Sequence, residues 1–444
     1  MTSPVTRAGA VAAIGSLAVL APFLGWGMAV LFGVIAVGAL LLPREWSAFE
    51  LLASPTDVED ARLNQLAGFA LAVTALAILA TVEAFGLSIT VFSMVVLLLV
   101  GGNLAEELYR GRWRNELGAV LVFLAGGVLA SLAAFAVMQS VLAIEVAFAT
   151  STAAFLAITG GLVAGLCRTD WSRRDDPAAL LSAGLALWLL SSLSIQPTPT
   201  TVTLGIVVTG ALGAAAYMTD TASVAGLITG VLLGFVTIVL AGFHWFVLLL
   251  AFFGIGGLST KYRYEEKEQR GVAEDNQGAR GSGNVLSNST IAMVAVIGYA
   301  ASPLVAGIGP LPFAIAFAGA MATALADTLS SEIGSLYDGT RLVTTLEQVE
   351  PGTDGGITLQ GGIAGVAGAA CIGILAIGLL PTIGLLGGVI VTIGGLWGMT
   401  TDSLLGATVE DRLMGNGWVN LLGTASGAAV SVILALALGL FLIP

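Results

Sequence analysis

Apolar runs of roughly 17 to 25 residues recur along the whole chain, separated by short polar stretches, and that is the length a helix needs to cross the hydrocarbon core of a bilayer. Inside that core every backbone N–H and C=O must be bonded within the protein, so a chain built of such runs is confined to an all-α transmembrane bundle. The expected spans are 8–24, 26–42, 65–83, 87–102, 117–137, 140–166, 178–194, 201–216, 223–241, 243–258, 290–308, 311–325, 361–380, 383–399 and 420–442, about fifteen with a range of 13 to 16. Composition agrees: 57% of residues are hydrophobic and 10% charged, against roughly 25% charged in an average soluble domain. The run from Ala8 to Leu42 lacks an A-x-A cleavage site, and Pro22 with Gly25 divides it, so a retained helical hairpin is expected rather than a signal peptide.

Charge removes several function classes. The net charge is −12 and His244 is the single histidine, which excludes basic nucleic-acid binding and a histidine metal site. Lys261 and Lys267 are the two lysines, and this acidic, Lys-poor balance is expected of a salt-adapted organism such as an archaeal halophile. Cys167 and Cys371 lie in or near apolar runs and read as packing residues.

Counted along the spans, loops 43–64, 103–116, 167–177, 259–289, 326–360 and 400–419 emerge on one side, which holds nearly every Arg and both Lys. Arg110, Arg112 and Arg114 share one of these loops, and Lys261, Arg263, Lys267, Arg270 and Arg280 another. By the positive-inside rule that face is cytoplasmic, so a multi-pass cell-membrane protein with a cytoplasmic active site is expected. Glu83, Glu145 and His244 fall towards the opposite surface and receive no role. In residues 1–200 the polar residues read as ordinary connectors, with Glu106, Glu107 and Arg110 on solvated helix faces, and no role is assigned to that region. From about 201 to 444, Gly, Ser, Thr, Asn and Asp crowd the cytoplasmic ends of the spans, at a cost that asks for a function. The catalytic domain is expected there.

A small residue, Asp, then a hydroxyl recurs three times: Thr219-Asp220-Thr221, Ala326-Asp327-Thr328 and Thr401-Asp402-Ser403. One copy alone reads as a helix cap; three on one face also make an oxygen-rich set for a hard cation such as Mg2+. The second extends as ADTLSSEIG, where helical spacing pairs Asp327 with Ser331 and Thr328 with Glu332, and the third as TDSLLGATVED, with Thr408 beyond a glycine. Between them, VEPGTDGGITLQGG over 349–362 offers Gly352, Thr353, Gly355 and Gly356 either as plain turns or as backbone donors to phosphate; it lacks the Gly-Lys-Ser/Thr of a Walker A motif. Asn284 with Asn288 and Asn416 with Asn420 are two i, i+4 pairs that serve as caps or interhelical links, or hold nucleotide and metal-bound water. Lys261, Arg280 and Arg341 are the natural phosphate cations.

The motifs ARGSGNVLSN, ADTLSSEIG, the GTDGG loop and DSLLGATVE followed by Asn416 and Asn420 occur in this order, and in it the chain from about 205 to 444 resembles the phytyl-phosphate kinase family of integral membrane proteins. That family was long catalogued as a domain of unknown function and is related to the CTP-using phytol and dolichol kinases. Its usual Gln before Val285 and Gly after Asn288 are Asn284 and Ser289 here. The resemblance implies a membrane kinase that passes a phosphate from a nucleoside triphosphate, with CTP first in line, to an isoprenyl monophosphate such as phytyl or geranylgeranyl phosphate. It implies Asp327, Glu332 and Asp402 as catalytic Mg2+ ligands. It further implies Asn284, Asn288, Ser331, the loop residues, Thr408, Asn416 and Asn420 around nucleotide and lipid phosphate, where Arg341, Lys261 and Arg280, read from residue type, are the expected cations. A cytidylyltransferase making a CDP-linked lipid would use the same residue types, and a transporter is the alternative of another class; for it, midplane polar breaks and inverted repeats would be expected. Oligomeric state is not legible.

Overall fold

The computed structural model describes the chain except residues 1, 145, 147, 171–175, 194, 274–280, 411, 443 and 444 and the side chain of residue 170; Glu145 and Arg280 therefore lie outside the described residues. Helices dominate, and the chain divides into two compact units, residues 1–202 and 203–444. Thirteen helices among the described residues are long and apolar enough to cross a membrane, and Gly27–Leu41 and Asp176–Ser192 are shorter apolar helices. Each expected span carries a helix. The run 140–166 starts later than expected, because Val137–Val141 continues the preceding helix as a π turn and the next helix begins at Thr150. The hairpin break at the N-terminus falls at Gly25, whose φ of 50° and ψ of −127° suit glycine alone.

In the first unit the helix Ile89–Arg110 is largely buried and packs along Glu116–Ala136. Small residues let the backbones close: a methyl added at Gly101 would stand 2.3 Å from Ala130 Cβ, and one at Gly126 2.3 Å from Ala105 Cβ. Glu106 corrects its expected placing on a solvated face. It is 5% exposed, accepts from Arg110 Nε at 2.7 Å and from Arg168 at 2.9 Å, and Arg168 also pairs with Asp176. A carboxylate between two guanidinium groups is the form in which buried charge is tolerated.

The second unit carries the helices α1 (Pro199–Met218), α2 (Val224–Ala241), α3 (Phe243–Lys261), α4 (Tyr264–Arg270), α5 (Ser282–Ala301), α6 (Leu311–Gly334), α7 (Leu359–Leu379), α8 (Gly384–Val409) and α9 (Asn416–Ala437). α6 is the hub, mostly buried and packed against α3, α5, α7, α8 and α9. Between Ala314 and Ala326 small residues, Ala, Gly319 and Thr323, alternate with the buried Ile315, Phe317, Met321 and Leu325, and neighbouring helices approach closely over the small ones. Gly427 of α9 faces Thr323, and Gly395 of α8 faces Ala322. Between α6 and α7, β1 (Arg341–Leu342) and β2 (Gly356–Ile357) form a short antiparallel ribbon, Arg341 opposite Ile357 and Leu342 opposite Gly356.

Candidate active site

The polar motifs are helix, not loop, and this is the main correction to the expected span ends. α6 runs on through ADTLSSEIG to Gly334 and α8 through TDSLLGATV to Val409. Asp327 and Asp402 therefore stand inside helices and cap nothing. The first copy is a different object: Asp220 sits in a turn with φ of 52°, and the Thr219 and Thr221 hydroxyls donate back to the Ala215 and Ala216 carbonyls at 2.9 and 2.7 Å. It closes the end of α1 and lies away from the other two.

Those two meet. The Asp327 and Asp402 carboxyl groups lie within hydrogen-bonding contact of each other, and the charge of Glu410 acts on both. The glycines of α8 and α9 make this approach possible, since a methyl at Gly423 would stand 2.9 Å from Asp402 Oδ2. The pair lines a cavity of about 330 Å3 whose wall also includes Asn284, Asn288, Ser331, Glu332, Gly352, Thr353, Gly355, Gly356, Asn416 and Asn420. Each helix is carried to the cavity by its own packing, so residues from 284 to 420 converge on one place.

The glycine-rich loop reaches the cavity by lying on α8. Gly355, with φ of 72°, has room for no side chain, because a methyl there would meet Ala407 N and Ser403 O at 2.6 Å. Gly352 has φ of 84°, Gly356 N donates to Thr353 O at 2.8 Å, and Thr353 Oγ1 donates to Glu350 O at 2.7 Å, which fixes the turn. Three helices also begin at this wall: Gly281 precedes α5, Thr358 caps α7 by accepting from Gly361 N at 3.1 Å, and Asn416 opens α9. Helix N-termini present unbonded N–H groups and the positive end of the helix dipole, which offers donors to an anion, while the carboxylates of the same wall call for a cation beside it. The Asn pairs bond internally: Asn288 Nδ2 donates to Asn284 O at 3.0 Å, and Asn420 Nδ2 to Asn416 Oδ1 at 2.7 Å. Thr340 Oγ1 is buried without a partner in the same wall, a hydroxyl still owed a hydrogen bond.

Other expectations are corrected. Glu332 lines the cavity, but its Oε2 accepts at 2.5 Å from Lys267 Nζ, a lysine with no exposed side-chain surface that also donates to Ser259 O and Thr260 O. Glu332 thus lines the cavity already paired with Lys267, and Glu410 is a further acid whose charge acts on Asp327 and Asp402. Arg341 is exposed and donates to Leu346 O at 2.7 Å, outside the cavity wall. Thr408 is exposed and bonds Leu404 O in its own helix. Lys261 donates to Thr219 O at 2.7 Å and faces a second, apolar cavity. Among the described residues no Lys or Arg lines the polar cavity.

Asp354, Glu410, Thr340 and Thr358 line the wall and were not anticipated. Asp402, Gly406 and Glu410 follow one another at four-residue spacing, so a helix read through to 410 would have placed both acids on one face. Asp354 was in view within GTDGG, and Thr358 carries the cap signal of a residue preceding an apolar helix. Among the described residues no three His, Cys, Asp or Glu side chains are grouped closely enough to form a metal cage. The facing aspartates instead fit a Mg2+ that takes one or two carboxylates and completes its octahedron with phosphate oxygens and water.

Residues 207–416 match the model of a family described as integral membrane protein DUF92. The chain is 35% identical over 215 residues to an uncharacterized membrane protein of Methanocaldococcus jannaschii, MJ0933, covering 47% of this chain and 84% of the relative. It is 31% identical over 201 residues to the uncharacterized membrane protein sll0875 of Synechocystis, covering 43% and 74%. Protein VTE6, chloroplastic, of Arabidopsis thaliana is 30% identical over 230 residues, covering 48% and 65%. No solved structure matches the chain.

Proposed function

This chain belongs to the DUF92 family of integral membrane proteins, and on that premise we propose that it is a Mg2+-dependent kinase that converts an isoprenyl monophosphate to the diphosphate. The observation that carries the reading is the pair of facing carboxylates, Asp327 and Asp402, in a polar cavity surrounded by three helix N-termini. Phosphoryl transfer asks a protein mainly for positioning and for charge compensation around phosphate oxygens, and these are the two things such a wall supplies. The order of motifs shared with the phytyl-phosphate kinase family points to the same chemistry.

In this reading an oxygen of the lipid monophosphate attacks the γ-phosphorus of the nucleoside triphosphate. A new P–O bond forms as the bond to the β-phosphate oxygen breaks, and the nucleoside diphosphate leaves. Asp327 and Asp402, with Glu410 behind them, would hold Mg2+, whose contribution would be to neutralise charge on the transferring phosphoryl group. The N–H groups at the starts of α5, α7 and α9 and along Gly352–Gly356 orient the phosphate oxygens. Thr340 Oγ1 and the side chains of Asn284, Asn288, Asn416 and Asn420 complete the polar surround. The cavity faces the cytoplasm, where nucleotide is supplied, and the lipid enters sideways from the bilayer.

The deciding experiment incubates purified protein in detergent with Mg2+, geranylgeranyl or phytyl monophosphate, and labelled CTP, ATP, GTP or UTP in turn. Prenyl diphosphate is the expected product, with CTP the preferred donor. A CDP-linked lipid would replace the kinase by a cytidylyltransferase, and neither product with any donor would sink both.

A further inference from the structure

Beside the polar cavity lies an apolar groove of about 340 Å3, formed by α1, α2 and α3. Its walls are Leu212, Leu227, Phe246, Leu249, Leu250 and Phe253, and Leu212, Leu250 and Leu258 stay exposed along it, so hydrocarbon can enter from the side. The two cavities share a seam. On α3, Thr260 lines the polar cavity and its neighbour Lys261 the groove; on α5, Asn284 lines the polar cavity and Val285 the groove. At that seam stands Lys261, whose ammonium has three donors and spends one on Thr219 O.

A molecule occupying both spaces must be apolar along its length and anionic at one end. Oil-lined space adjoining a polar cavity, with the lysine Lys261 between them, matches an amphiphile and no water-soluble nucleotide. Glycine keeps the groove open: methyl groups added at Gly230, Gly254 and Gly257 would meet no atom within 4 Å. At these positions side chains as small as hydrogen leave unfilled volume where a packing helix would place Leu.

We propose that this groove holds the hydrocarbon tail of the phosphorylated lipid whose head occupies the polar cavity, and that Gly230, Gly254 and Gly257 set the chain length accepted. The inference rests on the kinase reading for the identity of the head.

Gly254→Leu and Gly257→Leu enlarge a side chain into empty space and leave helix contacts alone. With geranylgeranyl monophosphate each should raise KM about ten-fold or more, the order expected when several buried methylenes lose their site, and leave kcat/KM for dimethylallyl monophosphate nearly unchanged. Equal loss for both substrates, or no change for either, overturns the proposal and leaves the kinase intact. A second measurement does not depend on turnover: a geranylgeranyl monophosphate with a photoreactive tail is cross-linked to the full-length protein in nanodiscs and the adducts are mapped. Adducts on α1, α2 and α3, displaced by unlabelled prenyl monophosphate but not by excess phosphatidylglycerol, are expected even if no donor supports transfer, in which case the kinase reading falls and the groove stands. Adducts elsewhere, or displacement by bulk phospholipid to the same degree, would remove the groove.

Discussion

Asp327 and Asp402 repel one another as carboxylates unless a proton or a cation is shared between them, and in the proposed reaction the cation is the metal. Replacing either by Asn removes one charge at constant shape, so Asp327→Asn and Asp402→Asn should each lower diphosphate formation about 100-fold or more while the thermal unfolding midpoint stays at or above that of the unaltered protein. Activity near the starting level in both variants would take these residues out of metal binding. Lys267 and Glu332 make the opposite case, a pair whose worth is structural. Lys267→Met leaves Glu332, 7% exposed in the cavity wall, without its cation, and a loss of up to about 3–5 kcal/mol, the usual scale for breaking a buried pair, is expected. The double change to Met at 267 and 332 should recover much of that loss, and thermal unfolding in detergent of the three proteins measures it; an undiminished loss in the double variant would show that the uncompensated Glu332 charge is not its cause.

At the scale of helices, glycine decides how close α6, α8 and α9 come, and through that how the two aspartates meet. A methyl at Gly427 would lie 2.0 Å from Thr323 Oγ1, whereas one at Gly362 meets nothing within 4 Å. Gly427→Leu should therefore separate α9 from α6 and abolish both activity and the folded elution profile. Gly362→Ala should leave activity intact and change stability by less than about 1 kcal/mol, in the favourable direction for a helix; size-exclusion profiles and the transfer assay check both. The existence of these helices could be read in the apolar runs, but their ends could not. Hydropathy measures how well a segment suits lipid, so the expected spans stop at residues 325 and 399, where Asp, Thr and Ser begin. The helices continue because those side chains face a polar cavity inside the protein, and a helix satisfies its backbone equally well there. Likewise Arg341, Thr408 and Lys261 were plausible by residue type and displaced by direction, a property that depends on packing. Lys267 looked like a topogenic loop charge, and its burial follows from a partner 65 residues further on.

For the molecule as a whole, the proposed requirement for a divalent cation and the proposed cytoplasmic facing of the site are tested separately. Chelation with EDTA should abolish transfer, and Mg2+ should restore it, since the protein offers only part of a coordination shell; activity that survives chelation would count against a metal at the facing aspartates. Single cysteines introduced at Asp60, Arg112, Glu268 and Glu350, in a background without Cys167 and Cys371, should all react with an impermeant thiol reagent from the cytoplasmic side, because the charge bias places their loops together. Labelling of any one from the opposite side would reverse the span parity at that point.

The polar cavity takes its wall from Thr260 of α3 and from the chain between α5 and α9, and Asn416 and Asn420, with the backbone of Gly423 against Asp402, come from α9. The chain is synthesised from the other end, so most of its helices are already threaded through the bilayer while Asp402 still lacks its cover. A ribosome that stalls before α9 is made would leave a membrane protein whose polar cavity lacks one wall, and under the proposed reaction such a product would occupy lipid without activity. The cavity is thus completed only when α9 joins the helices made before it.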